Sequence, residues 1–421
     1  MVVNVGNVVS SAQAVADRYR EFSWQQARGR SDAHEELTAR ISQDPEFCDL
    51  LSGSLPAGNK QQPNLLLAAV RYLDGPHAEQ GPHGEAAYGR WREWTIRHWD
   101  EVRAVIMRRS NQTNEPARCA TLLPLLARLP QPLALLEVGA SAGLCLQPDR
   151  YRYRYQYEGR SGGARGAGVA DATGVAGVTG ATEAADVTEL GAAESPATYV
   201  CRVSGDSRAG GASRQSGESR AGLGAGTAAA DATPSDPFPG PHPDPLPTRL
   251  PDIVWRAGID LNPLDPVAEP DDLRWLQALV WPGEGDRAQR LSAAVDAVRP
   301  APRPRIVRGD LLDELPALAA EAPPGATLVV FHTTVLAYLP LARREEFARL
   351  VRSLLAEREG PGHWISNEHH TVLPWITAPA HRSLRPEDTH LLTLALDERP
   401  VALTGPHGQS LRWLDEAAPR D

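Results

Sequence analysis

A short apolar run that ends in a glycine-bearing turn constrains the fold of this chain most. Residues 133–138 (LALLEV) are apolar except for Glu137, and glycines follow at positions 139 and 143. An apolar run of this length beside a turn signal is typical of a strand buried on both faces, and such strands belong to parallel sheets covered by helices. The sequence therefore predicts an α/β fold with a candidate functional loop at residues 139–143.

Strand and helix patterns alternate again from residue 251 onward. The predicted strands lie at 255–260, 305–310, 327–332 and 363–368, and the predicted helices lie near 270–280, 286–298 and 341–357. Closely spaced apolar runs at 391–397, 401–405 and 410–414 favour an antiparallel hairpin at the end of the chain. Parallel β-α units that end in a hairpin indicate an open α/β sheet.

The composition changes sharply within the chain. Residues 159–232 contain 16 of the protein's 36 glycines, and proline takes over between 234 and 251. A segment this poor in large apolar side chains cannot bury enough surface to offset its ordering entropy. We therefore expect four regions: a helical N-terminal domain (1–130), the first strand and glycine loop of a sheet domain (131–158), a low-complexity, mostly disordered insertion (159–250) with one candidate strand at 199–203, and the remainder of the sheet domain (251–421).

Charge and cysteine content exclude several classes of protein. The formal net charge of −10 disfavours nucleic-acid coating and binding to anionic membranes. No apolar run reaches the about 18 residues of a transmembrane helix, and the N-terminus lacks signal-peptide features. The four cysteines form no C-x-x-C pair, which argues against a zinc cage or a disulfide framework. We therefore expect a cytoplasmic protein with a small-molecule substrate and without a metal, a nucleic-acid partner or a membrane partner; its oligomeric state stays open.

The glycine motif is compatible with two chemistries. Gly139, Ser141 and Gly143 can form a cofactor loop, because glycines let the backbone approach a ligand and a following helix offers free N–H groups. The same residues match G-x-S-x-G, the nucleophile elbow of α/β hydrolases. A glycine turn that serves packing alone is the third alternative, and the motif by itself does not decide between them.

Acidic residues at the ends of later strands favour the cofactor loop. Asp260 lies 117 residues after Gly143, and without the 92-residue insertion 25 remain, close to the about 20 expected before a ribose-binding acid. Asp310 ends the next predicted strand, where it can meet an adenine amino group. A hydrolase would instead need an acid and a histidine in triad positions and an oxyanion loop, for which His83-Gly84 is the only upstream candidate.

Taken in order, the motifs resemble those of class I S-adenosylmethionine-dependent methyltransferases. They are the glycine motif, GIDLNP (258–263), RGDLLDELP (308–316), VVFHTTVLAYLP (329–340) and HWISNE (363–368). Outside the insertion, about three quarters of the chain also resembles the bacterial family called domain of unknown function 2332. The phrases that carry this second resemblance are QTNE (112–115), LLEVGASAGL (135–144), DRYRYRY (149–155), WRAGIDLNPLD (255–265), RWLQALVWP (274–282), FHTTVLAYLP (331–340) and PHG (406–408).

The methyltransferase resemblance implies a fold and a set of site residues. The fold is a Rossmann-like sheet, mostly parallel with an antiparallel C-terminal hairpin, beside the helical N-terminal domain. The backbone of Gly139, Ser141 and Gly143 would meet the methionine part of S-adenosylmethionine, and Glu137 would anchor the loop or the methionine amine. Asp260 would hold the ribose hydroxyls, and Asp310 with Leu311 would flank the adenine. The sequence departs from the common pattern at the fourth strand, where Phe331-His332-Thr333-Thr334 replaces Asp or Asn with Pro-Pro-Tyr. This departure counts against methylation of base amino groups.

His332 and Glu368 are the candidate catalytic residues. Both end predicted strands at the edge where open sheets bind ligands. A histidine there can act as a base for an acceptor hydroxyl near neutral pH, and Glu368 can polarise an acceptor. The alternative for His332 is a purely structural histidine. The sequence thus predicts a methyltransferase for a small acceptor, and it leaves open a non-catalytic cofactor binder or a serine hydrolase that uses Ser141.

Overall fold

The computed structural model of the protein describes residues 11–76, 84–112, 114–157, 187–205, 246–377 and 388–414. Within them the helices are α1 (Ala12–Phe22), α2 (Asp32–Ile41), α3 (Pro45–Ser54), α4 (Pro63–Tyr72), α5 (Glu85–Arg97), α6 (Trp99–Arg108), α7 (Cys119–Leu126), α8 (Pro270–Ala278), α9 (Gly285–Val298), α10 (Leu311–Ala320), α11 (Leu341–Glu357) and α12 (Pro374–Thr377). The strands are β1 (Leu133–Val138), β2 (Arg152–Tyr157), β3 (Val187–Leu190), β4 (Thr198–Gly205), β5 (Ile253–Asp260), β6 (Arg305–Arg308), β7 (Thr327–Thr333), β8 (Gly362–His369), β9 (Leu392–Leu396), β10 (Arg399–Thr404) and β11 (Ser410–Trp413).

The described strands form one sheet in the order β3-β2-β4-β11-β10-β9-β8-β7-β1-β5-β6. The pairs from β6 through β5, β1 and β7 to β8 are all parallel. The pairs from β8 through β9 and β10 to β11 are antiparallel. The prediction of an α/β fold with a largely parallel sheet and an antiparallel C-terminal hairpin is therefore confirmed. Numbered along the chain, the parallel strands have the doubly wound order 3-2-1-4-5, whose direction of winding switches between β1 and β7.

Helices cover both faces of the parallel part. Leu133 and Leu135 of β1 belong to the core that contains α7 and α9, whereas Ala134 and Leu136 belong to the core that contains α10 and α11. All six residues of β1 are buried, as the apolar run predicted. Because strand side chains alternate between faces, Glu137 lies on the α7 side of the sheet.

The helical N-terminal region has its own core and rests on α8. Asp44 accepts a hydrogen bond from Phe47 N at 2.9 Å and so caps α3, whose first residue is Pro45, a residue type that suits the first position of a helix. Trp275 of α8 inserts into the core formed by α1, α3, α4 and α6, and its ring meets Tyr72 edge-on at 5.8 Å. This contact holds the helical region beside the sheet.

The expected insertion contributes two strands to the sheet. Most of the 159–250 segment lies outside the described residues, but β3 and β4 fall within it and pair with β2, and β4 also pairs with β11. Only the strand at 199–203 was predicted. Alternate residues Tyr199, Cys201 and Val203 are buried beneath α7, so their burial depends on a partner surface that the local composition does not reveal.

The tyrosine and arginine run at 151–157 is a half-buried strand. Tyr151, Tyr153 and Tyr155 are fully buried, while Arg152 and Arg154 form ion pairs with Glu189 of β3. The arginines thus have a partner inside the sheet. Sheet pairing explains this run without an anionic ligand.

Candidate functional site

The carboxyl ends of β1, β5, β6, β7 and β8 meet at one edge of the sheet. This edge carries the glycine loop after β1, Asp260 after β5, Asp310 after β6 and His332 near the end of β7. The switch point between β1 and β7 is where an open α/β sheet forms a crevice. The fold therefore brings the sequence-predicted site residues to the expected edge, and their individual contacts decide what each of them can do.

The glycine loop is shaped by close packing. Gly139 and Gly143 have φ angles of 72° and 66°, a backbone conformation that favours glycine. A Cβ at Gly139 would lie 2.4 Å from Val335 Cγ2, and one at Gly143 would lie 2.9 Å from Ile306 Cδ1. Both glycines are therefore required by their neighbours in the protein, and they carry no independent argument for a ligand.

The helix expected after the loop is absent from this part of the described chain. Leu144–Leu146 and Pro148–Arg150 form short 3₁₀ turns, and the chain then enters β2. The prediction of a helix N-terminus at the loop is wrong. The reason is tertiary: the segment has to cross the α7 side of the sheet to a distant strand, with Leu144 and Leu146 buried in that core.

Asp260 organises the loop that it was predicted to assist. Its Oδ2 accepts a hydrogen bond from Ser141 N at 2.8 Å, and its Oδ1 accepts one from Asn262 N at 2.7 Å. The first bond joins the ends of adjacent strands, and the second closes a turn within GIDLNP. The half-buried carboxylate thus has a structural role whatever else it binds.

Gln112 covers Asp260 from the helical side. Its Nε2 donates to Asn262 O at 2.7 Å and makes longer contacts of 3.4 Å with Asp260 Oδ1 and Ser141 Oγ. Asn114 adds a 3.3 Å bond to Ala140 O. The QTNE phrase therefore reaches the glycine loop, although its Thr113 lies outside the described residues.

Ser141 has one property of a nucleophile elbow and lacks another. Its φ angle is 51°, the strained conformation that an elbow serine adopts. Its Oγ, however, accepts only the long Gln112 contact, and within the described chain no histidine is hydrogen-bonded to it. The geometry supplies no general base for this serine.

Glu137 is a buried acid at the end of β1. Glu137 is only 4% exposed, and its Oε2 has no hydrogen-bond partner among the described residues. Burial raises the pKa of this carboxyl well above its usual value, and the nearby Cys145 and Asp260 act in the same direction. Burial thus favours the protonated form of Glu137 relative to an exposed glutamic acid.

His332 and Glu368 are in contact, but as a buried structural pair. His332 is 0% exposed; its Nδ1 lies 2.8 Å from Glu368 Oε1, and its Nε2 accepts from Trp364 Nε1 at 3.1 Å. Because the indole N–H is only a donor, Nδ1 carries the imidazole proton. Glu368 Oε1 also accepts from the backbone N–H groups of Val335 and Leu336.

In this arrangement His332 has structural partners, and the catalytic roles expected for the pair stay predictions. Both nitrogens of His332 are occupied, and its ring faces Phe347 and Trp364 in the α11 core. The side chain of a strand residue points to one face of the sheet, so ending at the ligand-binding edge did not place this ring in the crevice. His332 therefore has both ring nitrogens engaged, whereas Glu368 Oε2 is buried without a hydrogen-bond partner among the described residues.

Asp310 and Leu311 lie beside Asp260 at the next strand. Asp310 Oδ1 caps α10 by accepting from Leu312 N at 2.9 Å, and it also accepts from Arg343 at 2.7 Å. Gly309 N donates to Asp260 O at 3.1 Å and joins the two strand ends. Leu261, the residue after Asp260, is an apolar side chain that is 65% exposed.

A charged cluster that the sequence analysis missed lies on the α7 side of the edge. Glu115 Oε2 accepts from Arg287 Nε at 2.9 Å and lies 3.6 Å from His407 Nδ1. Burial, followed by Arg287 and Arg118, lowers the pKa of His407 to about 3, so this ring is neutral. The QTNE and PHG phrases meet here, and their lack of any other assigned role was the available signal.

The histidine and acidic side chains at this edge are also residue types that bind metal ions. Across the described ranges, no group of three or more His, Cys, Asp or Glu side chains is arranged to hold a metal ion. His369 contacts Thr371 Oγ1 and Thr389 O at 2.9 Å each, so its ring nitrogens have protein partners.

Comparison with known proteins identifies the family of the chain. Residues 16–222 and 211–413 match the family described as uncharacterized protein conserved in bacteria (DUF2332). The chain therefore belongs to this family. No curated protein and no solved structure matched the chain. In the described residues, no helix has the length and apolar character needed to cross a membrane.

Proposed function

We propose that this member of the DUF2332 family binds S-adenosylmethionine at the carboxyl edge of its sheet and transfers the methyl group to a small-molecule acceptor. One observation carries the proposal: Asp260, at the end of β5, accepts the backbone N–H of Ser141 in the glycine loop after β1 at 2.8 Å. These adjacent parallel strands lie next to the switch point, where open α/β sheets bind nucleotide-type ligands.

The residues at this edge suit the nucleoside half of the cofactor. A carboxylate offers about four acceptor positions, and the donors to Asp260 are Ser141 N, Asn262 N and the distant amide of Gln112, so a ribose hydroxyl can still be accepted. Both described bonds of Asp310 use Oδ1, which leaves Oδ2 for an adenine amino group. The exposed Leu261 offers an apolar surface to the adenine ring.

The methionine half has a different kind of support. The glycines do not provide it, because packing already explains them. Glu137 does, because its buried Oε2 lacks a partner and a ligand ammonium group would supply one. The residues present therefore fit the cofactor at both ends.

Positioning is the chemistry that the chain itself would contribute. The bound cofactor supplies a methyl group on a sulfonium, which is already a good leaving group. The protein then has to orient the acceptor and exclude water. Gln112, which extends from the helical region to Asp260 and Ser141, is placed to do both. No general base is assigned, because His332 is occupied on both nitrogens.

The occupied histidine favours one alternative, a cofactor-binding protein without catalytic activity. Binding of S-adenosylmethionine and S-adenosylhomocysteine, measured by titration calorimetry, tests the shared first step, with ATP as an adenosine-containing control. We expect both nucleosides to bind and ATP not to bind. Failure of both to bind at millimolar concentration would reject the cofactor assignment. Conversion of S-adenosylmethionine to S-adenosylhomocysteine in the presence of a bacterial metabolite extract then separates the enzyme from the binder.

A further inference from the structure

Arg118 is a buried cation that has only neutral partners. It ends the 3₁₀ turn Pro116–Arg118 and is 5% exposed. Its Nε donates to Pro406 O at 2.9 Å, and its Nη1 donates to Thr333 O and Oγ1 at 3.1 and 3.3 Å. Among the described residues, no carboxylate lies within 4.0 Å of its guanidinium group. An arginine stays charged in a protein, and a buried charge without a counter-ion is costly.

The carboxylates nearest to Arg118 are already engaged elsewhere. Glu115 is bonded to Arg287, and Glu368 is bonded to His332 and to two backbone N–H groups. Neither carboxylate forms an ion pair with Arg118 among the described residues. Burial, followed by the positive charges of Arg287 and Arg118, lowers the pKa of His407, which lies beside the same cluster. The Arg118 side of the edge is thus electrostatically suited to an anionic group.

Glu137, an acidic residue, lies on the other side of the switch point from the basic Arg118. Arg118 is bonded to Thr333 at the end of β7, and Glu137 is next to last in the adjacent β1 on the same α7 side. Arg118 is close enough to influence the Glu137 carboxyl electrostatically without touching it. Asn367 Nδ2, fully buried on the neighbouring β8, also lacks a partner among the described residues. Arg118 without a counter-ion, and Glu137 and Asn367 each with an unpartnered atom, therefore lie at the ends of adjacent strands on one side of the sheet.

We propose that Arg118 and Glu137 together bind the α-amino-carboxylate group of a ligand, with Arg118 receiving the carboxylate and Glu137 receiving the ammonium. Such a ligand completes the hydrogen bonds of both side chains and supplies the missing counter-charge. If the ligand is S-adenosylmethionine, this assignment rests on the proposed function. A free amino acid carries the same group, so the test has to distinguish these two sources.

Ligands that differ only in this group provide the first test. S-adenosylhomocysteine contains the amino-carboxylate, whereas 5′-methylthioadenosine has the same thionucleoside without it. We expect wild-type protein to bind S-adenosylhomocysteine about 10- to 100-fold more tightly, the size of one charge-assisted hydrogen bond. Equal affinities would overturn the assignment of Arg118 and Glu137 and leave the proposed cofactor intact. Binding of L-methionine with neither nucleoside bound would instead favour a free amino acid and reject the cofactor.

Substitutions then assign the preference to the two residues. Glu137→Gln preserves size, and because Glu137 Oε2 has no hydrogen bond among the described residues to lose, we expect little change in the melting temperature. The substitution should weaken binding of S-adenosylhomocysteine about 10-fold or more and leave the affinity for 5′-methylthioadenosine unchanged. Arg118→Lys keeps the charge but loses the fork geometry, and Arg118→Met removes both.

The nucleoside without the amino-carboxylate reports whether each Arg118 variant is folded. We expect affinity for S-adenosylhomocysteine to fall in the order wild type, Arg118→Lys, Arg118→Met, with 5′-methylthioadenosine affinity constant. If both Arg118 variants lose the two nucleosides equally, Arg118 acts only as a clamp between Thr333 and Pro406, and the proposal fails for it. Where Arg118→Met does not fold, Arg118→Lys and Glu137→Gln carry the decision. If L-methionine is the only ligand, the same variants are scored on its affinity.

Discussion

Replacement of Asp260 separates its structural role from its role as a ribose acceptor. The carboxylate receives Ser141 N at 2.8 Å and Asn262 N at 2.7 Å. Asp260→Ala removes both acceptors, whereas Asp260→Asn keeps one oxygen and loses the charge. Asp296→Ala is the matched control, since Asp296 is an exposed residue of α9 whose described partner is Arg299.

The size of the structural effect follows from these two bonds. A hydrogen bond to a charged group contributes about 1.5–3 kcal/mol to stability. Asp260 is half-buried, so water replaces part of what is lost, and we expect Asp260→Ala to destabilise the protein by about 3 kcal/mol. At about 2–4 °C per kcal/mol, the melting temperature should fall by roughly 6–12 °C. The melting temperature of Asp260→Asn should lie between those of Asp260→Ala and the control.

The functional effect is measured on folded protein well below the melting transition. Loss of one hydrogen bond from a ribose hydroxyl should raise the Kd of S-adenosylhomocysteine about 10- to 100-fold in Asp260→Ala. Titration calorimetry measures the affinity and a thermal melt measures the stability. An unchanged Kd with a lowered melting temperature would refute the ribose assignment and leave a purely structural turn. An unchanged melting temperature would refute the argument that Asp260 organises the glycine loop.

Three further experiments test the neighbouring residues. His332→Ala leaves buried Glu368 without its imidazole partner, so the free energy of unfolding in urea should fall by about 3–5 kcal/mol, while the folded protein binds S-adenosylhomocysteine normally. Full stability together with lost turnover would instead support a catalytic role for His332. A fluorophosphonate should not label the wild-type protein, and a mass shift on Ser141 would make the hydrolase the leading function. Gly139→Ala should destabilise the protein because its Cβ meets Val335 at 2.4 Å, and Val335→Ala should restore part of the loss; additive effects of the two changes would show that this contact is not the cause.

The fold brings the predicted site residues to one edge of the sheet but gives them different surroundings there. The acids at strand ends were found because parallel strands place their carboxyl ends at one edge, a rule that needs only element order. Asp260 and Asp310 are at that edge, although each also has a structural bond that the sequence did not predict for it. His332 reached the edge as well, but the direction of its ring depends on which face of the sheet holds Trp364 and Phe347. The neighbours that a strand side chain meets on its face of the sheet come from distant parts of the chain, so only the tertiary structure reveals them.

The sequence alone determined the local elements and their order. Apolar runs and capping residues act over a few positions, so β1 and α11 have the bounds that were predicted for them. The tertiary structure decided the rest, because it depends on contacts between distant residues. Arg118 and Pro406 are 288 positions apart, and only folding makes them neighbours and buries the charge of Arg118. The placement of β4 between β2 and β11 likewise depends on surfaces that its own glycine-rich surroundings do not contain.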